Sequence, residues 1–183
     1  MSDTETTYEV NPDLFDDASV GEGGAYWPKK EGTYKLQLLR FERGPEFEND
    51  KDVTVDGVKT KVKVKAATVR WAFGVYRLNS GKRVTYEPAE GEKAGQTLDA
   101  EADGLTSRAF SKGSKAGKWL RCLLGREIDF EGMANMSGAE QSAMKAALMQ
   151  EALGKWATGT FGLSKTGKVT LTELGMMDSD DED

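Results

Sequence analysis

"VKTKVKVKAATVRWAFGVYR", Val58 to Arg77, is the stretch on which the fold turns. Lysines occupy positions 59, 61, 63 and 65, and the same parity then carries Val69, Trp71, Phe73 and Val75. A strand turns alternate side chains to opposite faces, so one face begins as a row of cations and continues as large apolar groups. Two geometries accommodate this. In a regular strand the lysine half runs past the end of the core, where that side meets solvent. With a bulge at Ala66-Ala67 the phase shifts by one, and Lys59, Lys61, Lys63 and Lys65 join the face of Arg70 and Tyr76 as a continuous basic stripe. In both cases Val69, Trp71, Phe73 and Val75 read as core, because an unbroken apolar parity signals packing.

Outward from this strand, Asp56-Gly57 between β-branched residues marks a two-residue hairpin turn with Val55 opposite Val58. Before it, "TYKLQLLRF" (33–41) reads as a strand. Tyr34, Leu36 and Leu38 form one face, Leu39 and Phe41 begin the other, and "GPEFEND" (44–50) ends it. After it comes a long polar loop, 79–96, with a short strand at Arg83–Tyr86, then a strand at "GLTSRAFS" (104–111). Ser114 and Gly125 bracket a helix carrying Trp119, Leu120, Leu123 and Leu124 at helical spacing. Ser137 and Glu140 form a capping box opening a second helix that Gly154 stops, with Met144, Leu148 and Ala152 as its apolar stripe. "KWATGTFGL" and "KVTLTEL" close the domain as a hairpin joined by "SKTG". The chain is therefore mostly β with helical insertions. Five strands with helix between the third and fourth have the connectivity of a five-stranded OB-fold-like Greek-key barrel, here with a projecting hairpin in the 1–2 connection.

The net charge of −6 conceals a division. Residues 1–25 hold seven carboxylates and no Lys or Arg, and "DSDDED" (178–183) holds five more. The region 26–177 keeps all 25 basic residues against 19 acidic, a charge of +6. This divides the chain into an acidic disordered arm (1–25), a barrel domain (26–177) and an acidic tail (178–183), and suggests a polyanionic partner for the body. No apolar run approaches the ~20 residues of a membrane span, and the polar N-terminus is unlike a signal peptide.

Catalytic motifs are missing or incomplete. There is no histidine and one cysteine, Cys122, which excludes Cys/His zinc sites, histidine-based triads and internal disulfides. "GSKAGK" lacks phosphate-loop spacing and has Trp119 in the Ser/Thr place. "DAEADG" (99–104) begins like a calcium loop, but Phe110 stands where the bidentate Glu belongs, so it reads as a solvated acidic loop. Cys122, among leucines, reads as a small buried hydrophobe. The expectation is a protein that is not an enzyme and carries no cofactor or metal.

Single-stranded nucleic acid asks for cations along its backbone and aromatic faces for its bases. The candidates are Lys59, Lys61, Lys63, Lys65, Arg70, Tyr76, Arg77, Lys82, Arg83, Tyr86, Arg108, Phe110, Lys112 and Lys115. Arg70 and Tyr76, opposite in parity to the core residues, lead the set. Trp119 and Trp156 read as core or helix-packing residues, and Trp27 stays open between core and ligand.

"TSRAFSKGSKAGKWLRCLLG" resembles the third strand and following helix of bacteriophage OB-fold single-stranded DNA-binding proteins, and "LGKWATGTFGLSKTGKVTL" resembles their closing hairpin. The resemblance covers under half the chain. It implies sequence-independent binding of single-stranded DNA in phage replication or recombination, in the cytoplasm of an infected bacterium. It also implies that Asp178, Asp180, Asp181, Glu182 and Asp183 form a tail that modulates DNA access or recruits replication and recombination proteins. Related tails commonly finish in a hydrophobic residue, whereas this chain finishes in Asp183. The competing reading is an OB-like protein-interaction or structural module without a nucleic-acid site.

Overall fold

The computed structural model describes residues 27–177. The arm expected over 1–25 and the tail Asp178–Asp183 lie outside the described residues. The first two strands, β1 (Gly32–Val55) and β2 (Val58–Arg77), form one long antiparallel hairpin. Asp56 and Gly57 both take positive φ, 51° and 77°, as a tight primed turn requires, and Val55 pairs with Val58.

"GPEFEND" does not end the first strand. β1 continues through it with a bulge between Arg43 and Glu46, so that Gly44 and Pro45 together oppose Thr68. Proline lacks the N–H a regular ladder position would use, and the bulge removes that demand. The Pro45 carbonyl instead accepts the Thr68 hydroxyl at 2.6 Å. Gly44 fits because a Cβ there would stand 2.2 Å from Thr68 Oγ1. The anticipated irregularity at Ala66-Ala67 therefore lies on the opposite strand. A second bulge, between Leu38 and Arg40, carries Phe41 onto the buried face with Leu36 and Leu38.

Two short strands follow, β3 (Thr85–Tyr86) and β4 (Leu98–Asp99), paired as a small separate sheet. The next strand, β5 (Glu101–Ser107), occupies the segment read as an acidic loop and stops before Arg108. Its alternation buries Ala102, Gly104 and Thr106 and turns Glu101 and Asp103 outward. The inward residues are small because a helix lies on them. That helix, α1 (Lys115–Leu124), is capped by Ser114 and terminated by Gly125 in the left-handed conformation. A short α2 (Phe130–Ala134), not anticipated, precedes α3 (Gly138–Ala152), which has its full capping box. Leu148 and Ala152 of the stripe are buried, but Met144 is exposed. β6 (Trp156–Leu163) and β7 (Val169–Gly175) close the chain as an antiparallel pair.

The five long strands order as β5-β2-β1-β6-β7 in one antiparallel sheet that curls into a half-barrel, with all three helices between β5 and β6 in sequence. Val69, Trp71, Phe73 and Val75 are buried in its concavity as expected. Trp71 packs edge-on to Phe41 and Trp119, at 4.7 and 5.4 Å between ring centroids. Its Nε1–H donates to Thr106 Oγ1 at 2.9 Å, satisfying a donor that would be costly to bury alone. Trp27 is buried edge-on to Tyr34 and Phe161. Among the described residues no helix is long and apolar enough to cross a membrane.

Candidate nucleic-acid interface

The lysine row lies on the part of β2 that projects past the core. Ten cross-strand pairs, from Glu46↔Ala67 to Val55↔Val58, make an arm of two strands. β2 is regular through Ala66 and Ala67, so the lysines keep the parity of Trp71 and do not join Arg70 and Tyr76. The alternative of one continuous basic stripe is thereby excluded. Directly paired residues share a face. Lys61 pairs with Asp52, Lys63 with Asp50 and Lys65 with Glu48, while Lys59 meets Thr54. Lys63 Nζ also stands 4.0 Å from Glu48. Across 46–65 there are five cations and five carboxylates, so the arm carries no net charge.

Arg70 does reach the outer face of the sheet, but in company. Its guanidinium lies 3.3 Å from Asp103 and 3.9 Å from Glu42. Lys29 pairs with the same Asp103. Arg40 donates to Glu42 and to Glu101, each at 2.6 Å. The Glu101 hydrogen bond and the two carboxylates hold the Arg40 guanidinium protonated well above its ordinary range, against the opposing effect of burial. Three cations and three carboxylates thus alternate over β1, β2, β5 and the segment just before β1, and this part of the face is neutral.

Tyr76 sits in a different setting. Its outward neighbours across the ladder are Lys35 on β1 and, one pair along, Gln37 beside Trp156 on β6. The Tyr76 and Trp156 rings meet edge-on at 4.7 Å. Arg83 bridges back to Tyr76 from beyond the end of β2, donating to its hydroxyl at 3.0 Å with the guanidinium carbon 4.9 Å from the ring centroid. Gly74 makes room for it, since a Cβ there would lie 3.0 Å from Arg83 Nη1. Trp156, expected as core, is 38% exposed, while the other three tryptophans are at most 4% exposed. Arg77 and Lys82 are exposed at the adjoining turn, where the Arg77 N–H donates to the Lys82 carbonyl at 2.9 Å.

Beside Trp156 opens a groove of about 760 Å³ lined by Lys35, Lys155, Leu124 and Met176. A second groove of about 880 Å³, between α1 and β7, is lined by Lys115, Lys118, Arg121 and Arg126. The two share Cys122, Gly125 and Met176, so cations run from the Tyr76–Trp156 pair round to α1. Within this run Arg121 lies 3.6 Å from Glu127 and Arg126 lies 2.7 Å from Glu151. Lys115 Nζ sits 4.8 Å from the Trp119 ring centroid.

The remaining candidates are dispersed. Tyr86 is half-buried in β3 and packs against the core. Arg108 and Phe110 follow the end of β5 and are half-buried, with Lys145 Nζ 5.5 Å from the Phe110 ring centroid. Lys112 is exposed just before α1. Cys122 donates its thiol to the Leu174 carbonyl at 3.3 Å, and burial pushes that thiol above its ordinary pKa.

The structure thus joins Tyr76 to Arg83 and separates both from Arg70 and the lysine row. Sequence reasoning missed Trp156 and Lys35 as neighbours of Tyr76, and Lys155 beside Trp156. Among the described residues no three His, Cys, Asp or Glu side chains gather as a metal-binding group. No protein-family model, no curated protein and no solved structure matches the chain.

Proposed function

We propose that the protein is a non-catalytic, largely sequence-independent binder of single-stranded DNA, acting in phage replication or recombination in the cytoplasm of the host. The observation that carries this reading is the exposed Trp156 held against Tyr76, with Arg83, Lys35 and Lys155 around the pair. An aromatic face accepts any base, and the cations follow the backbone that joins successive bases. The strand order, with helices between β5 and β6, supports an OB-like Greek-key barrel as the scaffold. The path then runs from the sheet into the grooves beside α1, where Lys115 and Lys118 lie, and Asp178–Asp183 regulates access or recruits replication proteins.

A second reading, a protein-interaction module on the same scaffold, draws on the neutral network around Arg70. The outer face of β2 and β5, where an OB-type site would be sought first, offers little to a polyanion.

Anisotropy of a labelled oligo-dT of about 30 nucleotides, with a duplex control at low and high salt, tests the first reading. Salt-sensitive binding that prefers the single strand is expected. Trp156→Ala should weaken it by about 5- to 150-fold, the loss of one stack of ~1–3 kcal/mol. Absence of binding at low salt, with residues 178–183 removed, sinks the proposal in favour of the second reading.

A further inference from the structure

The groove of about 880 Å³ between α1 and β7 carries Lys115 and Lys118 on its helical wall, and among the described residues neither is paired with a carboxylate. Beside these cations it is apolar. Trp119, Cys122, Leu174 and Met176 line it, and Met176 is 58% exposed. The opposite wall is a sheet edge. Among the described residues β7 pairs only with β6, so its other edge borders the groove, where the Leu174 carbonyl accepts the weak thiol donor of Cys122. These features select one kind of occupant. An open edge takes a polypeptide, whose own backbone can pair with it. The lysines ask for carboxylates on that polypeptide, and the apolar part asks for large side chains to cover it.

The chain itself holds such a segment outside the described residues. Asp13-Leu14-Phe15-Asp16-Asp17 sets two adjacent large apolar residues between carboxylates, within a stretch, 1–25, that has no Lys or Arg. We propose that residues 13–17 dock in the α1–β7 groove, with Leu14 and Phe15 covering Met176 and Leu174 and the carboxylates meeting Lys115 and Lys118. The inference goes beyond DNA binding and does not depend on it; a DNA strand following α1 would have to displace the segment.

Reach permits the contact. The Trp27 N–H donates to the Glu101 carbonyl at 2.8 Å, at the start of β5. Three residues on, about 10 Å along the strand, Gly104 lies under the Trp119 ring that lines the groove. The nine residues 18–26 extend to roughly 30 Å, which covers that distance with slack. The tail 178–183 begins near Met176 and matches the charge, but "DSDDED" has no apolar side chain for the rest of the groove.

Cys122, the single cysteine of the chain, lines the groove and reports its occupancy. The measurement is the rate at which iodoacetamide alkylates the full chain at fixed pH. Leu14→Ser with Phe15→Ser removes the apolar anchors and leaves the net charge unchanged. If docking holds about nine chains in ten, this variant should react about tenfold faster than the wild type. A peptide of residues 8–20 at about 1 mM, the effective concentration a short linker supplies, should return the variant to the slow rate. The same peptide carrying both substitutions should not. Both substitutions lie outside the described body, so the two chains should share one circular dichroism spectrum. An unchanged rate in the variant overturns the proposal, including the case in which only removal of 178–183 speeds the reaction and the tail is the occupant. A faster variant that the peptide fails to slow overturns it too.

Discussion

At the scale of single residues, Trp156 is the tryptophan that water reaches. Trp27, Trp71 and Trp119 are enclosed by aromatic and aliphatic neighbours. Acrylamide should therefore quench one accessible class of tryptophan emission, and Trp156→Phe should remove that class while leaving the protected emission in place. Quenching that survives the substitution would show that another indole is open. Cys122 gives a pH signature. Burial raises its thiol pKa, Arg121 partly counteracts this and Glu173 adds to it. The folded chain then holds the proton to higher pH than the unfolded chain, so this contribution to stability is complete below about pH 8.5 and declines as pH rises above it. Denaturation midpoints of the wild type should fall relative to Cys122→Ala between about pH 8 and 10, and parallel curves would contradict the assignment. The outward position of Trp156 was legible. It is five residues from buried Phe161, hence of opposite parity, and shares its face with Thr158 and Thr160. Its aromatic character suggested core because the partner that gives it a surface role, Tyr76, lies 80 residues earlier on another strand.

At the scale of elements, the docking of α1 on the sheet turns on an absent side chain. The Trp119 ring occupies the space over Gly104, where a Cβ would stand 2.3 Å from Cη2. Gly104→Ala must push the helix or the strand aside and should cost about 1–3 kcal/mol, read as a lower midpoint in urea. An unchanged midpoint would mean that the helix shifts freely. The arm should behave differently from the sheet that bears it. Its amides at 46–65 lack flanking strands and a packed layer, so they should exchange hydrogen faster than those at 69–75 under dilute conditions. Uniform protection along β2 would contradict this. Local chemistry made most elements readable: the Asp-Gly turn, the Ser114 and Ser137 caps, Gly125, and the core parity of β2. Two features escaped for a shared reason. Gly44-Pro45 looks like a terminator, and "EADG" looks like a loop, as long as each is judged alone. Thr68 supplies the bulge with its partner, and Trp119, Lys29 and Arg70 supply β5 with its neighbours on both faces. These partners are distant in sequence, so no local pattern reports them.

At the scale of the whole molecule, charge has two levels of organisation. The sequence shows the coarse one, a body of +6 between acidic ends. Only the fold shows the finer one. The arm and the Arg70 network neutralise themselves, which leaves Arg77, Lys82, Arg83 and Lys155 around the Tyr76–Trp156 pair and more cations in the grooves beside α1. Lysine density alone does not report charge that is open to a partner: cross-strand pairing places Lys61, Lys63 and Lys65 opposite carboxylates, and pairing is a property of register. A quantitative consequence follows for DNA. If about five phosphates are neutralised at this site, log Kobs should fall with log salt at a slope of about −3 to −4 for a single strand. Alanine at Lys61 and Lys63 together should leave that slope unchanged, since both already face carboxylates, whereas alanine at Lys82 and Lys155 should make it shallower by about 1 to 1.5. On the proposed DNA-binding reading, the five carboxylates of 178–183 would compete for the same cations. Their removal should strengthen binding several-fold at ionic strengths near 0.05 M and have a vanishing effect near 1 M, where the Debye length shrinks to about 3 Å. Titrations of the full chain and of the chain ending at Met177 across that salt range decide the matter. A tail effect that persists undiminished at high salt would show that the tail acts through contacts other than charge. A slope that responds to Lys61 and Lys63 would return the DNA path to the arm.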